Sequence, residues 1–131
     1  MKSGKIPDSA ITPTTIYNQY SGPERARLDT VKSGSFIGAW IPKTQDIGQW
    51  IQVDLGKITK ITRLATQGRQ DAAQWVKSYF ISYSLEGGPY LPYNNNQVNK
   101  HKYHRKLFHN EKVICCRYIG RGRSSLKALF N

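Results

Sequence analysis

At 131 residues, with 38% hydrophobic and 21% charged side chains, the chain has the size and composition of one soluble globular domain. No run approaches the ~18 apolar residues that a membrane span needs, and Met1 to Lys5 lead into Ile6-Pro7-Asp8 with no apolar stretch, so neither a transmembrane segment nor a signal peptide is expected in this chain. The formal net charge of +12 is uneven: residues 100–131 hold nine Lys and Arg against Glu111 alone, and residues 1–99 hold eleven against seven acids. Such a basic end suits an anionic partner (nucleic acid, acidic glycan or anionic lipid) and equally suits a solvated or disordered tail.

Residues 1–35 are rich in Ser, Thr, Pro, Asn and Gly with few periodic apolar positions, which predicts extended segments and long loops. In "YNQYSGPERARL", Tyr17 and Tyr20 stand in a turn-forming context that ends at Gly22-Pro23. Strand signals strengthen from Gly38. In "WIQVDL", Ile51, Val53 and Leu55 share one face while Trp50, Gln52 and Asp54 share the other. Gly56 is expected to break this run, after which "KITKITRLATQ" resumes it with Ile58, Ile61 and Leu64. Beyond "GRQDAAQW", the run "VKSYFISYS" alternates again, with Tyr79, Ile81 and Tyr83 on one face and one slip of phase. Glu86-Gly87-Gly88-Pro89 reads as a hairpin turn, and "VICCRYI" as a further strand. With no convincing helical period, short strands between turn clusters predict an all-β sandwich or barrel.

Chemistry-bearing clusters are sparse. His101, His104 and His109 with Cys115 and Cys116 lack the two paired short-spaced clusters of a zinc site, so no metal and no cofactor is expected. The two cysteines are neighbours, and Cα atoms about 3.8 Å apart fall below the usual ~4.4–6.8 Å disulfide window, so they form no disulfide framework within the chain. No two of the eight carboxylates are close in sequence, and no nucleophile elbow, phosphate loop or dinucleotide fingerprint occurs, so no catalytic residue is assigned. Asp54 lies within a strand and calls for a structural partner, for which Arg27 of "GPERARL" is a candidate. Eight tyrosines and three tryptophans among many cations are compatible with base stacking. No recognised nucleic-acid motif accompanies them, however, and the aromatics of residues 75–83 follow strand periodicity, so nucleic-acid binding is kept as an alternative only.

The order of motifs is more specific than any one of them. "SGKIPDSAIT", "GPERARLDT", "GAW", "QWIQVDLG", "KITKITRLATQGRQD" and "QWVKSYFISYS" follow one another through residue 84, with a weaker echo at Tyr93 and "CRYI". This series closely resembles the discoidin, or coagulation factor V/VIII type C, domain family. The resemblance implies a distorted jelly-roll β-barrel or sandwich of the galactose-binding-like type, with about eight strands. It also implies a non-enzymatic adhesion module of secreted and cell-surface proteins. Such modules bind cell-surface glycans, anionic phospholipid or extracellular-matrix protein through loops at one end of the barrel.

Carried over by position, the ligand-binding loops hold Tyr17, Asn18, Gln19 and Tyr20, then Lys32, Ser33, Ser35 and Phe36, then Arg69, Gln70 and Asp71. Tyr17 and Tyr20 suit a sugar face or a headgroup interface, Phe36 and Ile37 suit lipid, and Lys32 and Arg69 suit an anionic surface. Arg27, Trp40, Trp50 and Asp54 are expected to serve the scaffold. The family's terminal cysteines are missing, and "GRGRSSLKALFN" replaces its usual final strands. The domain is therefore expected to span residues 1–119, with 120–131 a divergent basic tail and the closing strand missing or altered. On this reading the chain is part of a longer secreted or surface protein, or a non-binding truncated remnant of one.

Overall fold

In a computed structural model of the chain, residues 5–61, 64–76, 78–93, 98–99, 111–119 and 127–130 are described, with backbone alone for Ser78 and for every residue from 98 onward. Among the described residues eight strands form: β1 (Ile11–Pro13), β2 (Trp50–Thr59), β3 (Leu64–Gln67), β4 (Ser78–Ser84), β5 (Leu91–Pro92), β6 (Val98–Asn99), β7 (Glu111–Ile119) and β8 (Lys127–Phe130). Among the described residues, helix is limited to two 3-10 turns, Asp8–Ala10 and Pro23–Ala26. The main sheet runs β1-β2-β7-β4-β5, with β6 also on β4, and β3 and β8 form a second sheet. Every pairing is antiparallel.

The period-2 pattern sets the inner face. Ile51 and Val53 of β2 and Tyr79 and Ile81 of β4 are buried together with Ile11, Ala26, Trp40, Ile61 and Leu64. Full burial of a side chain of this size is worth about 1.5–3 kcal/mol each. Trp40 carries a polar N–H into this core, and that N–H donates to the Thr15 carbonyl at 3.0 Å, which removes the cost of desolvating it unpaired. Phe80, one residue out of phase with Tyr79 and Ile81, stays exposed.

Two sequence expectations are revised by the tertiary structure. Gly56 does not end the strand: β2 continues through it to Thr59, with a register irregularity against β7 between Asp54 and Thr59. Gly56 adopts φ +74°, the left-handed region that glycine enters without steric cost, and this lets the strand bulge and carry on. Nor do Arg27 and Asp54 pair. Arg27 donates to Asp8 Oδ1 (Nε, 3.1 Å) and to the Ile6 carbonyl (2.6 Å), which ties the second 3-10 turn to the first. Asp54 accepts the Gly56 N–H at 2.8 Å and so stabilises the bulge. Its half-exposed carboxylate sits on the outer face of the sheet and needs no buried cation. Within residues 120–131, Lys127–Phe130 form a strand that pairs with β3 from Gln67↔Lys127 to Leu64↔Phe130. The closing segment is altered in sequence and present as a strand.

A Cβ added at Gly56 would meet no atom within 4 Å, so the effect of Gly56→Ala is purely conformational. The substitution is expected to lower stability by about 1–2 kcal/mol, the cost of a left-handed conformation for an L side chain. Urea unfolding of the two proteins measures this directly.

Candidate functional site

Loop 1 (residues 17–21) is held to the chain at 37–41 by backbone hydrogen bonds. The Tyr17 N–H donates to the Ile41 carbonyl (2.8 Å), the Ile41 N–H to Ser21 (3.2 Å) and the Ile37 N–H to Tyr20 (2.8 Å). Inside the loop, Asn18 Oδ1 accepts the Tyr20 N–H at 3.0 Å and the Ser21 hydroxyl at 3.2 Å. The Asn18 carboxamide oxygen is thus committed to the turn, as Asx turns use it. Tyr17 (61% exposed) and Gln19 project outward, while Tyr20 is half-buried.

Loop 2 (residues 31–37) closes as a tight turn in which Ser33 and Phe36 exchange backbone hydrogen bonds of 3.1 and 2.9 Å, with Gly34 at φ +56°. The Tyr20 ring meets the Phe36 ring edge-on, with centroids 5.7 Å apart at 84°, so loops 1 and 2 touch. Arg25 braces loop 2 from below. Its guanidinium donates to the Ile37 carbonyl at 2.7 Å and the Val31 carbonyl at 2.6 Å, and it lies 5.8 Å from the Phe36 ring centroid. Phe36 (47% exposed) and Val31 (55%) remain on the surface, as do Lys32, Ser33 and Ser35. Ile37 is only half-exposed.

Loop 3 (residues 68–72) is organised by a two-pronged ion pair. Arg69 Nε donates to Asp71 Oδ1 at 2.7 Å and a terminal nitrogen to Oδ2 at 2.6 Å, while the other terminal nitrogen donates to Gln74 Oε1 at 2.9 Å. The Arg69 N–H also donates to the Gln74 carbonyl at 2.9 Å. The two charged side chains are only 17% and 14% exposed, so they serve the loop's own shape, and Gln70 is the member that faces solvent. Hydrogen bonding from Arg69 lowers the Asp71 pKa to about 2, against a smaller opposing effect of burial, and the positive charge of Lys32 in loop 2 acts in the same direction. The same pair raises the pKa of Arg69. Loops 2 and 3 also approach at Gly38, where an added Cβ would stand 3.2 Å from Asp71 Oδ1 and 3.1 Å from the Lys32 nitrogen.

The structure therefore gathers the three expected loops into one rim. Their exposed members are Tyr17, Gln19, Val31, Lys32, Ser33, Ser35, Phe36 and Gln70. Asn18, Tyr20, Arg69 and Asp71 are engaged in holding that rim together. Trp40 lies in the core, and Trp50 and Asp54 stand apart on the outer face of β2. Arg25, two residues before Arg27 in "GPERARL", was not among the expected loop residues. Trp75, 39% exposed beside Gly68, was also missed; a lone Trp in the polar stretch after the loop 3 turn is the signal that could have found it. His101, His104 and His109 and the side chains of Cys115 and Cys116 lie outside the described residues. No helix among the described residues is long and apolar enough to cross a membrane.

Comparison with known proteins gives consistent results. The sequence pattern of the F5/8 type C domain matches residues 9–119. Human EGF-like repeat and discoidin I-like domain-containing protein 3 is 37% identical over 119 residues, which cover 85% of this chain and 24% of that protein. Rat lactadherin is 31% identical over 137 residues, 91% of this chain and 30% of lactadherin. The chain spans less than a third of the length of either relative. Among solved structures, discoidin II of Dictyostelium discoideum superimposes with a TM-score of 0.80 at 22% identity, covering 92% of this chain and 53% of that one. The family 32 CBM from C. perfringens NanJ, solved in complex with galactose, superimposes with a TM-score of 0.59 at 18% identity, covering 94% and 91%. The fold is the all-β, galactose-binding-like jelly roll that the sequence resemblance implied.

Asp71→Asn removes the charge that holds loop 3. A depressed folded-state pKa means that the stabilisation is present above about pH 4, the ordinary carboxylate range, and is lost as pH falls through about 2. The variant is expected to be less stable than the parent by up to about 2 kcal/mol at pH 7, with the gap closing between pH 4 and 2. Denaturant unfolding across that range reads it.

Proposed function

This chain belongs to the F5/8 type C domain family, and we propose that it is a non-catalytic, extracellular recognition module that docks on anionic phospholipid surfaces through loops 1 to 3. One observation carries this reading. Tyr17, Val31 and Phe36 remain largely exposed on two touching loops, around the exposed Lys32 and above scaffolding that satisfies the loops' own polar groups. Exposed apolar side chains have no place in the packing of an isolated chain, but each gains free energy by entering the headgroup and acyl boundary. Lys32 adds attraction to an anionic surface, worth about 1 kcal/mol per cation, and the overall charge of +12 steers the whole molecule towards it.

A cell-surface glycan is the second reading for the same rim. The pairing of exposed Tyr17 with Gln19 supports it, because an aromatic face beside an amide suits a sugar ring, and a module of this fold was solved with galactose. Either ligand fits a role in cell adhesion on a secreted or surface-anchored parent protein. Nucleic-acid binding would call for an array of cations on the rim, and the loops instead present aromatic and aliphatic side chains around Lys32.

Sedimentation with vesicles of phosphatidylserine in phosphatidylcholine, run beside a glycan array, tests the proposal. The chain is expected to bind the anionic vesicles and not phosphatidylcholine alone. Combined Tyr17→Ala and Phe36→Ala substitutions should weaken that binding at least ~10-fold, since ~1.4 kcal/mol suffices for that factor. Equal binding by parent and variant on every positive ligand would show that the loops are not the contact.

A further inference from the structure

A groove of about 540 Å³ opens on the main sheet, lined by Trp50 and Gln52 of β2, Phe80, Ile81 and Ser82 of β4, Tyr90 just before β5, and Pro92 within it. Its lining shares no residue with loops 1 to 3 among the described residues. It lies on the outer face, because Ile51, Val53 and Tyr79, which alternate with Trp50, Gln52, Phe80 and Ser82, point into the core. β7 runs between the two walls, and its register places Arg117 opposite both Trp50 and Phe80, and Cys115 opposite both Gln52 and Ser82.

The polar groups of this groove are incompletely used. The Tyr90 hydroxyl donates to Gln52 Oε1 at 2.6 Å, reaching across the sheet. The Gln52 carboxamide nitrogen, the Ser82 hydroxyl and the Trp50 indole N–H find no protein acceptor among the described residues. Phe80 is 40% exposed for an aromatic side chain in the middle of a strand. Its described lining therefore combines aromatic faces with uncharged donors, around the position that the register gives Arg117. That combination suits a ligand with an apolar face and several hydroxyls, and the volume lies within the range of small-molecule sites.

We propose that this groove is a second binding site, for a hexose unit of a glycan, independent of the loop rim. The sugar's C–H face lies on the aromatic walls, and its hydroxyls accept from Gln52, Ser82 and Trp50. Groups that are otherwise hydrated gain fixed partners in this way.

The three tryptophans separate the possible outcomes. Trp40 reports the core, Trp50 the groove and Trp75 the rim at loop 3, and each has one indole N–H signal in a nitrogen–proton correlation spectrum. Each signal is assigned by a Trp→Phe variant. Methyl hexosides and N-acetylhexosamines are titrated into the full chain. At least one is expected to move the Trp50 signal saturably, with a Kd in the millimolar range typical of contacts worth about 4 kcal/mol, while Trp40 and Trp75 stay in place. Ser82→Ala and Gln52→Ala should each weaken this binding about 10-fold or more, a loss of ~1.4 kcal/mol. The Tyr17→Ala/Phe36→Ala protein should keep it, so that failure at the loops and failure at the groove are told apart. Should Ser82→Ala fail to fold, Gln52→Ala on the outer face of β2 carries the test alone. The proposal is overturned if no saccharide moves the Trp50 signal, if the shift survives both groove substitutions, or if the loop variant abolishes it.

Discussion

Everything positioned in this molecule depends on one strand, β7, pairing on both its edges. β2 and β4 each bury one face in the core, and their facing edges would otherwise present rows of unpaired N–H and C=O groups. β7, which arrives late in the chain, satisfies both rows, from Trp50↔Arg117 to Asp54↔Val113 on one side and from Ser78↔Ile119 to Ser84↔Val113 on the other. Two strands from the middle of the sequence thereby become walls of one continuous sheet. The inner face of that sheet makes the core, and its outer face makes the groove between Trp50 and Phe80.

The rim follows a different rule, a division of labour between polar and apolar side chains. Polar groups that look like ligand contacts are directed inward: Asn18 holds its own turn, Arg25 clamps two carbonyls of loop 2, and Arg69 and Asp71 close loop 3 on each other. A bidentate arginine–carboxylate pair of this geometry confers shape as well as energy. With the loops' own turns satisfied internally, the side chains left facing solvent are Tyr17, Val31 and Phe36 beside Lys32 and small or amide polar groups. Rigid loops that carry exposed Tyr17, Val31 and Phe36 lose little conformational entropy when they meet a surface. The two surfaces then differ in kind: the rim is built from loops around Lys32, whereas the groove lies on the outer face of the sheet between Trp50 and Phe80.

Much of this was legible in the sequence because it is encoded locally. Period-2 alternation in 50–55 and 79–83 marks which residues face inward, since neighbouring residues of a strand must point to opposite faces. The ordered motifs from "SGKIPDSAIT" to "QWVKSYFISYS" carry the family, and with it the location of the three loops. What pattern alone could not separate is a glycine that ends a strand from one that bulges it. That difference lies in whether a partner strand continues alongside, and at Gly56 the partner is β7, which returns far later in the chain.

Partner choice was likewise beyond the sequence. Arg27 has several acids within plausible reach, and only the packing of the second 3-10 turn against the first brings it to Asp8. Arg69 and Asp71 read as a charged recognition turn, and only the fold shows that they face each other. Composition and periodicity by themselves determined the all-β class and the inward-facing residues, and the motif order, through the family resemblance, implied the chain positions of the loops, because each depends on residues close in sequence. The tertiary structure alone decided which loop residues are free and where the outer-face groove opens. Those properties arise when residues tens of positions apart are brought side by side.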